Sequence, residues 1–133
     1  MRLTRASSYA LHAVVYMAGQ KKDGPTPSHV IAEKRGIPER FLLKVLKPLV
    51  SAQVLYSVKG PNGGYRLARP ATEITILEVL EAVDGPIRGH APMSHNEPRN
   101  FLNRKLEQIC NESAEQVRKT LSKIKLSDLS GRE

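Results

Sequence analysis

Metal, redox and nucleophilic chemistry have few carriers in this chain of 133 residues. It holds one cysteine, Cys110, and four histidines. Thiolate and imidazole are the usual ligands of zinc, copper and iron. His12, His90, His95 and Cys110 are therefore the candidate set for a metal or redox centre. Their spacing matches no zinc motif, and a lone cysteine excludes both a Cys-cluster zinc site and an intramolecular disulfide framework. Cys110 also falls among apolar residues, where a free thiol usually packs as a small hydrophobe. No nucleophile elbow or carboxylate pair stands at a telling spacing, so no enzymatic activity is expected.

The remaining chemistry is cationic. Residues 1–69 carry twelve Lys or Arg against three acids, a balance of +9; residues 70–133 carry nine against ten, a balance of −1. A basic half joined to a neutral half is the footprint of a polyanion-binding module attached to something else. Two local groups concentrate the charge. The stretch VKGPNGGYRLARP, residues 58–70, sets Lys59, Asn62, Arg66 and Arg69 among glycines and prolines. It lacks the Gly-Lys-Ser/Thr ending that opens a helix in a phosphate-binding loop. The second group is Glu39, Arg40, Lys44 and Lys47, interleaved with Leu42, Val45, Leu46 and Leu49. The apolar members recur at i, i+3, i+4 and i+7, so the charged ones lie away from the core. Arg and Lys donate to guanine N7 and O6, and Glu accepts from cytosine N4.

These residues need elements to hold them. Thr4 can cap a first helix running to about Gly19, with apolar residues around most of its circumference. Ser28 is a candidate N-cap for a short helix ended by Gly36, and a third helix runs from Glu39 to about Ala52. Pro48 removes one donor there and is expected to bend the last turn. Two helices joined by a short Gly-containing turn form a helix-turn-helix. The β-prone runs around Pro61-Asn62-Gly63 form a hairpin, which makes the motif winged. Thr75 and Glu78 form a capping box for a further helix ending at Asp84-Gly85-Pro86. The expected fold class is mainly α: a winged helix-turn-helix domain over 1–84 with a two-stranded β wing. A linker over 85–98, a long dimerisation helix over 99–127 and a tail over 128–133 follow. Leu102, Leu106, Ile109, Val117, Leu121 and Ile124 form an apolar seam on that helix, which a second copy of the chain would cover.

In this order of elements the chain resembles the Rrf2 family of bacterial winged-helix transcription regulators. The resemblance rests on the opening MRLTRASSYALHAVVYMA, on GIPERFLLKVLKPLVSAQVL, on the wing SVKGPNGGYRLARP and on ITILEVLEAVDGP. It implies a homodimer on double-stranded DNA, with each module on half of an imperfect palindrome and repression as the expected outcome. By this resemblance the start of the third helix, including Phe41, meets the major groove. Lys59 takes the place of an Arg that enters the minor groove in many relatives; Lys keeps the charge and loses the planar fork. Arg2 and Arg5 would touch phosphates. The resulting DNA-binding set is Arg2, Arg5, Ser28, Glu39, Arg40, Phe41, Lys44, Lys47, Lys59, Asn62 and Arg66.

Sensing members of that family hold an iron–sulfur cluster on three closely spaced cysteines in the segment after the EAVDGP-like motif. This chain has IRGHAPMSHNEPRNFLN there, without a cysteine. Such clusters need about four protein ligands, mostly thiolates, so no cluster and no other cofactor is expected. Two alternatives stand beside the regulator reading. One is an architectural or protein-interaction module that binds nucleic acid non-specifically. The other is a metal or redox sensor using His12, His90, His95 and Cys110. With no signal-peptide pattern and no segment of transmembrane length, a cytoplasmic, nucleoid-associated location with no membrane partner is expected. The effector is not legible.

Overall fold

The computed structural model describes residues 1–20, 24–91 and 100–130. The chain runs α1 (Arg5–Ala18), α2 (Ser28–Arg35), α3 (Glu39–Ser51), β1 (Leu55–Val58), β2 (Gly64–Leu67), α4 (Ile76–Asp84), α5 (Phe101–Ser122) and α6 (Leu126–Leu129). Among the described residues the architecture is mainly α with one two-stranded antiparallel sheet, as the sequence pattern requires.

The central helix is α1. Its buried residues Ser7, Ala10, Ala13, Val14 and Met17 follow the helical period. Tyr9, Leu11, Val15 and Tyr16 pack partly buried around them, so α1 touches α2, α3, α4, α6 and β2. Small side chains on this helix let its neighbours approach closely. Thr4 caps it by accepting from the Ser7 N–H. Asp84, at the end of α4, then accepts from the Thr4 hydroxyl at 3.0 Å and from the buried Ser7 hydroxyl. The end of the winged domain is thereby tied to its beginning.

The turn between α2 and α3 depends on Gly36, which sits at φ 66°. Residues with a Cβ populate that left-handed region reluctantly. Ile37 N–H reaches back to the Ala32 carbonyl, and α3 starts two residues later. Leu42, Val45, Leu46 and Leu49 are buried, as their spacing dictates. The helix runs through Pro48 to Ser51.

Two features depart from the sequence reading. The long helix stops at Ser122 instead of continuing to 127, and the chain turns back onto the winged domain. Ile76 N–H donates to the Ile124 carbonyl, and Leu126 N–H donates to the Ile74 carbonyl, both at 2.9 Å. Leu126 is fully buried in the main core. Ile124 therefore lies beyond the helix, half-buried, and cannot extend an α5 seam. The second departure is at Ser28, which opens α2 instead of capping it. Pro27 holds the cap position without a side-chain bond, and the Ser28 hydroxyl donates to Glu39 at 3.0 Å.

Candidate nucleic-acid interface

On α3 the residues Glu39, Arg40, Phe41, Leu43, Lys44 and Lys47 are all exposed. They alternate with the buried set because a helix with one apolar stripe turns its other side chains to solvent. Arg40 lies 4.7 Å and Lys44 5.7 Å from the centre of the Phe41 ring. A cation over an aromatic face is held there electrostatically, so Phe41 gathers two positive charges on the first turns of α3. Glu39 is engaged by Ser28, which fixes the start of α3 against the start of α2.

The wing pairs β1 with β2 in the register Leu55–Leu67, Tyr56–Arg66, Ser57–Tyr65 and Val58–Gly64. Its tip turns at Gly60–Gly63, where Gly63 N–H donates to the Gly60 carbonyl. Lys59, Asn62 and Arg66 are exposed. Two glycines are required by close approach: a Cβ on Gly63 would lie 2.1 Å from the Val58 oxygen, and one on Gly64 would lie 2.3 Å from the Thr26 oxygen. Thr26 and Tyr65 exchange two backbone hydrogen bonds of 2.9 Å. This bridge anchors the wing to the segment entering α2, and nothing in the local pattern around Thr26 announced it.

The bridge creates a cleft of about 460 Å³ between the first turn of α2 and the wing, lined among others by Ser28, His29, Lys59 and Gly63. Ser28 thus touches the start of α3 and shares a cleft with the wing tip. The start of α2 faces the wing there, and Ser28 links that start to the start of α3. His29, exposed in this cleft, is absent from the set read from the sequence.

Other expected residues go elsewhere. Arg69 donates to the Glu73 carbonyl and pairs with Glu78, so it supports α4 instead of serving the wing surface. Burial pushes the Glu78 pKa up, and the Arg69 hydrogen bond with the Thr75 cap outweighs this, leaving it below the usual value. Arg5 is exposed on the first turn of α1. Arg2 lines a different cavity, beside α4 and α5. Along α5, Leu102, Leu106 and Ile109 are exposed, as is Phe101. Val117 and Leu121 are half-buried, and Val117 shares a cavity wall with Leu80 of α4. Arg118 clasps Glu81 through Nε and a terminal nitrogen, both at 3.0 Å, and Ile87 N–H donates to the same carboxylate. The Arg118 hydrogen bond holds the Glu81 pKa below the usual value.

The comparisons with known proteins agree with this geometry. Residues 3–132 match the family model described as Rrf2, iron-dependent transcriptional regulator. The chain belongs to the Rrf2 family. Among curated relatives, a protein of Mycobacterium tuberculosis named as a putative HTH-type transcriptional regulator is 38% identical over 87 residues, covering 65% of this chain and 54% of that protein. The HTH-type regulator IscR of Photobacterium profundum is 40% identical over 84 residues, covering 63% and 49%. The chain spans about half the length of these curated relatives. Among solved structures, CymR, the global cysteine regulator of B. subtilis, superposes with a TM-score of 0.78 at 25% identity, covering 98% of this chain and 96% of that one.

The family's iron dependence can be tested against the donors present. Cys110, the one thiol, is half-buried. His90 lines the same cavity, but His12 Nδ1 is bound by Arg35 at 2.8 Å. His95 lies outside the described residues. Among the described residues no group of three or more His, Cys, Asp or Glu stands close enough to hold a metal ion. This donor set does not fit an iron–sulfur cluster, which needs about four ligands. Among the described residues, no helix is long and apolar enough to cross a membrane.

Proposed function

We propose that this protein is a dimeric, sequence-specific DNA-binding transcriptional repressor that works without an iron–sulfur cluster. The observation that carries the reading is the convergence at Ser28 of the starts of α2 and α3 with the wing. In this reading α3 enters the major groove, with Arg40 and Lys44 poised on Phe41 to reach guanine edges. Lys47 faces the flanking backbone. The wing brings Lys59, Asn62 and Arg66 to the phosphates or the adjacent minor groove, where inserted cations are favoured.

The exposed stripe Phe101, Leu102, Leu106 and Ile109 supports pairing with a second copy. Apolar side chains at such spacing on a helix are covered when two helices pack along each other. A twofold pair of modules reads two half-sites, so the target is an imperfect palindrome. Occupying such a site excludes other proteins from it, which is how repression would follow.

The test is the salt dependence of binding to a duplex by fluorescence anisotropy. Each neutralised phosphate contributes a slope of about −0.9 in log K against log salt. Lys59→Ala is expected to reduce that slope by about 0.9 per half-site. An unchanged slope and affinity would remove the wing from the interface.

A further inference from the structure

A second concave region lies where the winged domain meets α5. It has a volume of about 460 Å³ and is walled by the segment before α1, the end of α4, residues 87–90 and the middle of α5. Small-ligand pockets typically span about 300–1,000 Å³ and combine apolar walls with a few polar groups. Leu3, Leu80, Ile87, Ile109, Ala114 and Val117 supply the apolar wall. Three structural devices hold it in place. Asp84 ties the start of α1 to the end of α4 through Thr4 and Ser7. Glu81 joins α4 to Ile87 and to Arg118 of α5. Gly89 lies so close to α5 that a Cβ would stand 2.3 Å from the Asn111 nitrogen.

The charges on this wall are unequal. Among the described residues Asp84 is its one carboxylate, and it already accepts from two hydroxyls. Arg2 and Arg88 also line it, and neither pairs with an acid among the described residues. A guanidinium beside an apolar wall is suited to a planar anion such as a carboxylate. We propose that this cavity binds a small organic acid with an apolar body and one anionic group, and that this acid is the regulator's effector. Its anionic end meets Arg88 and Arg2, and its body lies between Leu80 and Val117. Ile109 belongs both to this wall and to the exposed stripe of α5. A bound acid would therefore press on the helix through which two copies pair. The effector role rests on the DNA-binding reading above; the binding itself does not.

The experiment separates the two. Calorimetry on the full chain without DNA compares 2-naphthoate with 2-naphthylmethylammonium, which have similar bodies and opposite charges. The naphthoate is expected to bind at least about tenfold more tightly, the ratio of one charge-assisted contact. Arg88→Ala is expected to remove about tenfold of that affinity, and Ala114→Phe, which fills the cavity, to abolish binding. Circular dichroism confirms that each variant is folded, and Ser113→Leu replaces Ala114→Phe if the latter is not. Equal binding of the two probes, or full binding by a folded cavity-filling variant, overturns the site. Anisotropy with labelled duplex then measures DNA affinity with and without naphthoate. A shift of at least threefold is expected, and an unchanged affinity with naphthoate bound overturns the effector role. Loss of pairing in folded Ala114→Phe by sedimentation would overturn the proposal in favour of a second copy seated there.

Discussion

Gly64→Ala isolates what positions the wing. The new Cβ would lie 2.3 Å from the Thr26 oxygen and 2.7 Å from the Pro27 nitrogen. Both are backbone atoms, so no side chain can rotate away and the two segments must separate. The two 2.9 Å bonds between Thr26 and Tyr65 are then lost. At about 0.5–1.5 kcal/mol net each, these account for roughly 1–3 kcal/mol. Gly64 also sits at φ 154°, where strain adds of order 1 kcal/mol or more. The expected destabilisation is about 2–4 kcal/mol, a large fraction of a typical domain's stability. Urea unfolding measures it, and amide exchange at Tyr65 reports the bridge directly. DNA affinity should fall at least about tenfold in folded protein, because Lys59 and Asn62 lose their fixed position relative to α3. Wild-type stability with a protected Tyr65 amide would refute the reasoning, since the steric conflict would then have been absorbed without moving the wing.

Further expectations follow from the same contacts. Leu126→Ala should cost about 2–5 kcal/mol by chemical denaturation, because Leu126 is fully buried although near the end of the chain. Leu106→Asp should shift the protein to monomers in sedimentation, and a persistent dimer would move the pairing surface off the exposed α5 stripe. The Glu81 carboxyl is held below its ordinary value of 4.5 by Arg118. Its contribution to stability is therefore complete above that value and is lost as pH falls through the lower folded-state value. Arg118→Ala should flatten this acid-side loss, read as the pH dependence of the urea midpoint between roughly pH 5 and 3.

Much of residues 1–84 was legible because each element announces itself locally. Thr4, Gly36 and the Thr75–Glu78 box mark helix ends, and the Leu42–Leu49 spacing fixes which face of α3 is exposed. The charged face of α3 and the wing tip follow directly from that. What the sequence hid is long-range. Thr26 joins the wing through backbone atoms, which carry no side-chain signature. Leu126 falls within the span 99–127 expected to be one long helix, yet it lies beyond that helix and its partners are α1 and the Ile74 backbone. Arg69 sits among wing cations in sequence and points its charge at Glu78. Val117 and Leu106 read as one stripe, but a helix docked along one side leaves Val117 half-buried on a cavity wall and Leu106 exposed. His29 had no motif to mark it, because its setting is made by the wing folding against α2.

Selection of bound fragments from random duplex DNA by the full chain separates specific from non-specific binding. A pseudo-palindrome of two half-sites is expected, with preference relaxed at major-groove positions in Arg40→Ala and affinity lowered across sequences in Lys59→Ala. Recovery of no motif, with equal affinity for every duplex, would contradict it and favour a non-specific architectural role.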